Sequence, residues 1–381
     1  DRGGRRFGMG VAPVVVTPLF LYGPLADIHV LQGIFSSFVA AEARAEGMQI
    51  SCEDAPLPLT GLRRGTGAID GLLVDHPSAV EDLTFVLRAL GLGPAEPLAV
   101  HCQGTTYAAQ VFPGQPGPLA WDATALRGRN ASILKGAIAE ILSLKGRVAP
   151  EDFTHRLPMI LSRAAAQVAA ARSAPITLRS PTHADQVIQE ANEITHAGFF
   201  LSRKYTLRHP RFDGTQSDSL EREVFVATDA SLVLPYDPVR DRVLLVEQFR
   251  MGPFGRGDPY PWMLEPVAGR IDGGESPEAT AHRECLEEAG LTLRGLEKIS
   301  QHYCTPGYST EVFHLFLGIC DLPDLEQGRG GLAAEHEDIR THVIDFPQAM
   351  ALVQSGEANN GPLILCLLWL ERERARLRAS A

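Results

Sequence analysis

Three glutamates lie close together in the sequence at a spacing that could hold a divalent cation. Glu284, Glu287 and Glu288 are three and four residues apart, so they crowd one side of the segment if it is helical. Clustered carboxylates repel one another unless a cation lies between them, and their hard oxygens suit Mg²⁺ or Mn²⁺. The alternative is an acidic helix face that contacts solvent and pairs with Arg283.

The residues around these glutamates predict a helix over residues 277–289. Ser276 suits the N-cap, proline suits the first helical position, and Gly290 suits the position just after the helix. Ala281 and Cys285 recur on one face and form a small apolar stripe. That stripe can pack on a sheet while the glutamates point elsewhere.

The glutamates belong to a longer pattern of specified residues. The pattern comprises Gly269, Glu275, Arg283, Glu284, Glu287, Glu288, Gly290 and Leu291. It resembles the Nudix box at every specified position. The resemblance implies an α/β/α sandwich that uses divalent metals to cleave nucleoside diphosphates linked to another moiety. Arg283 and Glu275 are expected to hold the loop and the helix in shape.

The resemblance extends over about residues 198–370 to the ADP-ribose pyrophosphatases. It implies that the backbone carbonyl of Ala268 binds metal together with Glu284, Glu287 and Glu288. In this family a proline-containing loop follows the box and contacts the terminal ribose side of the substrate. Taken alone, the loop in this chain is typical of a simple turn. Its residues expected to bind substrate are Pro306, Gly307 and Glu311.

An acidic segment after the box is expected to supply the catalytic base, because the attacking water must lose a proton. In family members with this segment, the carboxylate matching Glu335 is the base and the one matching Glu337 reaches a metal. Asp338 and His336 are the nearest alternatives for the base. Without the box, the same residues would indicate an exposed acidic turn.

Three residues ahead of the box match positions that contact ADP-ribose in the resembled enzymes. Phe199 could stack on adenine, while Arg222 and Arg250 could meet the adenosine and the phosphates. The alternatives are core packing for Phe199 and a surface ion pair for Arg250. In those enzymes the segments around Phe199 and Arg222 come from one subunit of a swapped dimer, so a homodimer through this domain is expected. Departures from the family are expected at residues 252–261.

Near the other end of the chain, residues 20–25 resemble the turn of the γ-glutamylcyclotransferase-like (AIG2-like) fold, which holds a glutamyl carboxylate. The expected pocket consists of Tyr22, Gly23, Leu25 and Gln103. Gln103 stands where that family has its acid/base glutamate, and Pro24 removes a backbone N–H from the turn. We therefore expect the fold without cyclotransferase chemistry, acting in assembly, regulation or binding. A helix is expected over residues 27–43.

The elements that position these residues fall into three regions of a 381-residue chain, a length typical of two or three domains. Short apolar strands separated by Gly and Pro predict a mixed α/β domain at residues 11–122, which the resemblance of the turn implies to be γ-glutamylcyclotransferase-like. A 3.6-residue periodicity predicts a helical connector at 123–194, and a β pattern begins the third region, 195–381, which the resemblance of the box implies to be a Nudix domain. Residues 231–234 and 242–246 are expected to form a hairpin. The predicted fold class is α/β (α+β), and the fusion resembles proteins associated with tellurite resistance.

The composition excludes some classes of function. Asp and Glu number 46 against 35 Lys and Arg, for a net charge of −11, which argues against non-specific nucleic-acid binding. No apolar run approaches the ~20 residues that cross a bilayer. The six cysteines contain no CxxC pair, which argues against a zinc ribbon or a disulfide framework. We expect a cytoplasmic protein with neither nucleic acid nor membrane as a partner.

The sequence thus predicts Mg²⁺-dependent hydrolysis of ADP-ribose to AMP and ribose 5-phosphate. Mn²⁺ is an alternative metal, and the number of ions is left open. Two other functions stay open: a pyrophosphatase for another nucleotide sugar, such as ADP- or GDP-mannose, and a non-hydrolysing ADP-ribose sensor. The ligand of the N-terminal domain and any link to tellurite chemistry are not determined by the sequence.

Overall fold

The chain forms two compact units, residues 1–164 and 165–381. The computed structural model describes residues 16–31, 34–35, 40–53, 59–122, 129–171, 175–324, 327–331 and 338–381. Both units combine sheets with helices, which confirms the predicted mixed α/β fold class. None of the helices within the described ranges is long and apolar enough to cross a membrane.

The sheet of the first unit closes on itself, because its two longest strands also pair with each other. Its strands are β1 (Leu19–Leu21), β2 (Ala40–Cys52), β3 (Thr60–Val74), β4 (Glu96–Cys102), β5 (Thr105–Val111) and β6 (Leu119–Ala120). Their order is β3-β1-β5-β4-β2-β6, and an additional pairing of β2 with β3 joins the first and fifth positions. Phe20, Ala45 and Val100 lie in the core of this sheet.

Four helices accompany this sheet in the sequence. They are α1 (Ile28–Leu31), α2 (Pro77–Ala89), α3 (Arg129–Ser143) and α4 (Leu157–Ala170). Helix α3 packs against α1 and α2. A buried ion pair joins α3 to α4, in which the Arg163 guanidinium donates to the Glu140 carboxylate at 2.5 Å. All six cysteines of the chain are free thiols.

Two predictions about secondary structure in this half of the chain are wrong. The helix expected over residues 27–43 is limited to Ile28–Leu31 among the described residues, and Ala40 already begins β2. Buried Ala43 and Ala45 alternate with exposed charged side chains in β2. This two-residue alternation of buried and exposed positions favours a strand and outweighs the helix propensity of Ala, Glu and Arg. The helical connector also ends earlier than residue 194, because strand β7 (Ile188–Ala197) begins at Ile188.

The second unit contains a small sheet and a larger central sheet. The small sheet has the order β7-β8-β9, with β8 at Leu201–Arg208 and β9 at Leu220–Val226. The strands of the central sheet are β10 (Ala230–Asp237), β11 (Arg242–Phe249), β12 (Trp262–Glu265), β13 (Val267–Arg270), β14 (Gly295–Tyr303), β15 (Val312–Ile319), β16 (Gln327–Gly330) and β17 (Ile339–Asp345). Its path is β14-β15-β10-β11-β17-β16, with β12 on β11 and β13 on β10. The predicted hairpin is confirmed, since Tyr236 pairs with Val243 in β10 and β11.

Helices cover both faces of the central sheet and make an α/β/α sandwich. The helices of this unit are α5 (Met251–Arg256), α6 (Pro277–Ala289), α7 (Phe346–Ser355) and α8 (Gly361–Ala379). Helix α6 packs on one face through Ala281 and Cys285, beside Val233 and Phe316 of the sheet. Helices α7 and α8 cover the opposite face, where Leu234 and Leu245 belong to the second core layer.

Candidate active site

Helix α6 begins and ends at the residues that the sequence predicts. The Ser276 hydroxyl accepts a hydrogen bond from the Ala279 backbone N–H at 3.1 Å, which caps the first turn. Gly290 follows the last turn with φ +64°, a conformation that favours glycine. Ala281 and Cys285 are fully buried, so the apolar stripe of the helix is fixed against the sheet.

Two of the three clustered glutamates contact the backbone of β13. Glu288 is 1% exposed, and its carboxylate accepts the Ala268 N–H at 3.2 Å. The Glu284 carboxylate lies against Gly269, where a Cβ would be 1.8 Å from Glu284 Oε1. Only glycine leaves room for the carboxylate at this position. The structure therefore brings Ala268, Glu284 and Glu288 together, through the Ala268 N–H and the backbone of Gly269.

Arg283 connects the third glutamate to this group and ties the helix to the loop before it. Its guanidinium donates to Glu284 at 2.7 Å, to Glu287 at 3.0 Å and to Glu275 at 3.0 and 3.1 Å. It also donates to the carbonyl of Arg270 at 3.3 Å. Hydrogen bonds to Glu275, and then the charges of Glu284 and Glu275, raise the pKa of Arg283 in spite of partial burial. One cation thus fixes the end of β13, the loop and the helix.

Glu275 is held as a carboxylate in the loop between β13 and α6. Burial favours its neutral form, but Arg283 and the Thr280 hydroxyl, which donates at 2.7 Å, outweigh this effect. The pKa of Glu275 is therefore below its ordinary value. This arrangement agrees with the expectation that Arg283 and Glu275 hold the loop and the helix in shape.

The oxygen donors at this place fit a hard divalent cation. Within the described residues, no three or more His, Cys, Asp or Glu side chains are arranged as a metal site. On α6, the Arg283 guanidinium donates to the carboxylates of both Glu284 and Glu287. The Glu284 and Glu288 carboxylates nevertheless lie beside the same stretch of backbone, and carboxylate and carbonyl oxygens are the ligands that Mg²⁺ prefers. Cys285 is fully buried in the core, and its soft sulfur does not suit a hard cation.

The loop at residues 305–311 is fixed to the end of β9. The Phe225 N–H donates to the Tyr308 carbonyl at 2.8 Å, and the Thr310 N–H donates back to the Phe225 carbonyl at 3.1 Å. Pro306 and Gly307 are exposed at the tip of the loop. This arrangement leaves the tip open to a ligand and anchors its base.

Arg250 and Glu311 lie in one electrostatic neighbourhood. Burial raises the pKa of Glu311. The Cys304 thiol, which donates to the Glu311 carboxylate at 3.0 Å, and the charge of Arg250 both act to lower this pKa. The Arg250 guanidinium donates to Glu265 at 2.7 Å, which is the ion pair considered as an alternative from the sequence. Arg250 remains more than one-third exposed, so the pair orients its side chain without removing it from solvent.

Comparisons with known proteins identify the second unit. The NUDIX domain model matches residues 227–364. An ADP-ribose pyrophosphatase from Escherichia coli (strain K12) is 38% identical over 188 residues, 49% of this chain and 89% of that protein. The chain belongs to the Nudix hydrolase family. A GDP-mannose pyrophosphatase from Escherichia coli O1:K1 / APEC is 30% identical over 171 residues, 44% of this chain and 88% of that protein. A solved structure described as an ADP compounds hydrolase covers 51% of this chain and 97% of its own, with 19% identity and a TM-score of 0.41.

Strand β16, which precedes the acidic segment of the Nudix hydrolase, contacts the C-terminal end of α6, the Nudix helix. Glu335, His336 and Glu337 lie outside the described residues. On either side of them, Gly330 of β16 pairs with Ile339 of β17. A Cβ at Gly330 would be 1.6 Å from the Glu288 carbonyl oxygen, and the Gly331 N–H donates to the Glu287 carbonyl at 3.4 Å. Asp338 is exposed just before β17.

The structure separates the other two predicted substrate residues of the Nudix domain along the small sheet. Phe199 is 70% exposed and contacts Phe200 edge-on at 4.9 Å, so core packing does not explain it. Arg222 is exposed and pairs with Tyr205 of β8, whereas Val226 pairs with Leu201 next to Phe199. Four residues of strand, about 13 Å, therefore separate Arg222 from the neighbourhood of Phe199 in one chain.

The N-terminal unit does not bring its four predicted pocket residues together. The Tyr22 hydroxyl donates to the carbonyls of Phe112 and Pro113, both at 2.8 Å, and Leu25 is buried nearby. Gly23 has φ +58° and lies against Thr60. Gln103, by contrast, is exposed in the turn before β5, at the opposite end of that strand from Phe112. The intervening strand is roughly 20 Å long, so Gln103 is not part of this pocket.

The positions that the sequence does not reveal as functional are one glycine and one amide. Gly330 makes a close approach that joins β16 to the Nudix helix. Asn360 donates to the buried Glu265 at 2.9 Å and so completes the pair with Arg250. Burial raises the pKa of Glu265, and Arg250 opposes the rise. A lone glycine or asparagine in sequence carries no spacing signal that distinguishes these roles.

Proposed function

We propose that this Nudix hydrolase cleaves the pyrophosphate of ADP-ribose to AMP and ribose 5-phosphate with a divalent metal. The observation that carries the proposal is the contact of Glu284 and buried Glu288 with the Ala268–Gly269 backbone. The 38% identity to an ADP-ribose pyrophosphatase supports the choice of substrate. The complete set of box carboxylates argues against a sensor that binds ADP-ribose without hydrolysing it.

The metal-binding group in this proposal consists of the Ala268 carbonyl, Glu284 and Glu288, with Glu287 assisting and Glu337 completing the set. These are oxygen donors throughout, and they suit Mg²⁺, with Mn²⁺ as an alternative. When bound, Mg²⁺ neutralises the pyrophosphate and makes its phosphorus a better electrophile. The buried Ala268 N–H contact holds the Glu288 carboxylate in place before any ion arrives.

The other residues of the chain bind the substrate and move a proton. Arg250 meets phosphate, and the loop at Pro306, Gly307 and Glu311 meets the terminal ribose. Glu335 accepts a proton from the attacking water. At the same time the water oxygen bonds to phosphorus and the bridging P–O bond breaks. Glu335→Gln should lower kcat more than it raises KM, and an unchanged kcat would assign the base to another residue, with Asp338 as the nearest alternative.

A substrate panel tests this proposal against its nearest rival. A relative named GDP-mannose pyrophosphatase matches at 30% identity, so ADP-mannose and GDP-mannose are the alternatives to compare with ADP-ribose. We expect kcat/KM with Mg²⁺ to be highest for ADP-ribose, with AMP as a product. A higher kcat/KM for a mannose nucleotide would change the assigned substrate. If neither AMP is released from the ADP compounds nor GMP from GDP-mannose, the result would favour the sensor.

The proposal includes a homodimer built through the Nudix domain, in which the small sheet of one subunit completes the site of the other. The exposed rings of Phe199 and Phe200 support this arrangement, because they contact each other at 4.9 Å and form a joint aromatic surface that a second subunit could cover. The molecular mass in solution, measured by light scattering, tests the dimer.

We also propose that the N-terminal unit has a γ-glutamylcyclotransferase-like (AIG2-like) fold without that activity. The closed sheet supports the fold, and the bonds of the Tyr22 hydroxyl to two backbone carbonyls support a structural role for this residue. Release of 5-oxoproline from γ-glutamyl peptides would contradict the loss of activity. A cytoplasmic location remains a prediction from the sequence, testable by fractionation of cells.

A further inference from the structure

A cleft of about 750 Å³ opens on the face of the central sheet opposite the Nudix helix. Its floor includes Leu245 and Ile344, which belong to the core layer under α7 and α8. Clefts of ~300–1,000 Å³ are the usual size of small-molecule sites. None of the residues assigned to metal or substrate lines this cleft. The cleft is therefore lined by other residues than the assigned site, but it adjoins that site, because the Arg250 N–H donates to the Pro261 carbonyl, between Tyr260 and Trp262, at 2.9 Å.

Two exposed aromatic rings form one wall of the cleft. Tyr260 is 81% exposed and Trp262 is 58% exposed. Trp262 pairs with Phe249 in the ladder of β11 and β12, and the two rings meet edge-on at 5.5 Å. This contact holds the indole in position. Ring faces held open to solvent are suited to stacking with a flat group or to contact with a cation.

The charged side chains that line the cleft favour a cation over a flat anionic ligand. Asp258 and Glu357 both line the cleft, and neither has an ion-pair partner in the described part of the chain. The only hydrogen bond to the Asp258 carboxylate in this region comes from the Tyr260 backbone N–H at 2.9 Å. Two carboxylates at one rim repel an anionic nucleotide and attract a cation.

The third carboxylate of the cleft, Glu247, already has hydrogen-bond partners within the protein. Glu247 accepts from His342 at 2.8 Å and from Arg340 at 3.3 Å. Its charge is therefore compensated by neighbouring strand β17, and it shapes the cleft more than it attracts a ligand. The attraction for a cation comes from Asp258 and Glu357.

We propose that this cleft binds a small organic cation of the alkylammonium class. The ammonium groups pair with Asp258 and Glu357, while the methylene chain and one charged end lie on Trp262 and Tyr260. A bare metal ion would make no use of the rings, and an anionic nucleotide would meet repulsion at the rim. The combination of rings and carboxylates in one cavity points to this class.

Spermidine is the probe that tests the proposal on the full chain. Binding is measured by calorimetry and by tryptophan fluorescence at about 0.15 M salt, which screens weak surface attraction. We expect saturable binding of one spermidine, weakened at least about tenfold in the double variant D258N/E357Q. Both changes are at the surface, so they should leave the melting temperature unchanged. Trp262→Leu should also weaken binding.

A matched control is needed, because a chain with net charge −11 attracts polycations everywhere. The variant D152N/E371Q removes two exposed carboxylates outside the cleft and should bind spermidine like the wild type. Absence of saturable binding, or equal weakening by both double variants, would overturn the proposal. A changed KM for ADP-ribose in D258N/E357Q would overturn it too, since the cleft would then belong to the substrate site.

Discussion

Arg283 donates hydrogen bonds to three glutamates, Glu275, Glu284 and Glu287, from one guanidinium. Each contact neutralises a carboxylate that would otherwise repel the others on and beside the Nudix helix. Bidentate and fork-like pairing of this kind is specific to arginine, because the planar guanidinium offers several donors in fixed directions. The guanidinium thus reduces the repulsion between Glu284 and Glu287.

Arg283→Gln should lower the free energy of unfolding by about 2–3 kcal/mol, because the glutamates lose a charged hydrogen-bond partner. Urea denaturation measures this change. Mg²⁺ should restore more stability to the variant than it adds to the wild type, since the ion would supply the missing positive charge. The control Arg294→Gln removes an exposed pair with Asp321 and should cost less than ~1 kcal/mol. Equal losses for the two variants would contradict the central role of Arg283.

At the scale of an element, the hairpin of β10 and β11 depends on the buried carboxylate of Asp237. It accepts the N–H groups of Val239 and Arg240 at 3.1 and 3.0 Å and the Arg240 guanidinium at 2.8 Å. It also accepts the Leu322 N–H at 3.3 Å. Burial alone would raise the pKa of Asp237, but these donors together hold it below its ordinary value.

This lowered pKa makes the stability of the hairpin depend on pH in a definite direction. A carboxyl group with a lower pKa in the folded state stabilises the fold above its unfolded pKa of about 4 and loses this effect as pH falls further. Asp237→Asn should therefore cost about 1–3 kcal/mol at pH 7 and less at pH 3. Urea denaturation at both values measures the difference. A cost that does not shrink with acidification would contradict the charged role of Asp237.

The elements also show how much could be predicted from the sequence. Helix α6 was predicted from its caps and apolar stripe, because those signals are local and agree with one another. The segment at residues 40–43 was wrongly placed in a helix, because its Ala, Glu and Arg favour a helix locally while pairing with β3 is a distant interaction. Gln103 was placed in the wrong pocket for the same kind of reason, since a short motif says nothing about which end of a strand it occupies.

At the scale of the whole molecule, the proposed swapped dimer makes each active site a composite of two chains. In one chain, Phe199 and Arg222 lie apart on the small sheet, while Glu288 lies on the Nudix helix. An isologous interface would exchange the small sheets symmetrically between subunits. Arg222 of one subunit would then serve the Glu288 site of the other.

Mixing two inactive variants tests this exchange. Arg222→Ala and Glu288→Gln should each have little activity on ADP-ribose. After joint unfolding and refolding, half of the dimers are mixed and one of their two sites has both native residues, so about a quarter of wild-type activity should return. The measurement is AMP release with Mg²⁺. No gain over the separate variants would place Arg222 and Glu288 of the same chain in one site.

The most direct test of the metal-dependent mechanism is the turnover of ADP-ribose by Glu288→Gln, compared with Glu278→Gln. Glu278 is an exposed glutamate in the first turn of the same helix, so it controls for the loss of one charge. A glutamine at 288 can still accept the Ala268 N–H, so the fold should persist, but it is a poor metal ligand. We predict that kcat with Mg²⁺ falls at least ~1,000-fold in Glu288→Gln and stays near the wild-type value in Glu278→Gln. A folded Glu288→Gln variant with near-normal turnover would contradict the assignment of this helix as the metal-binding element.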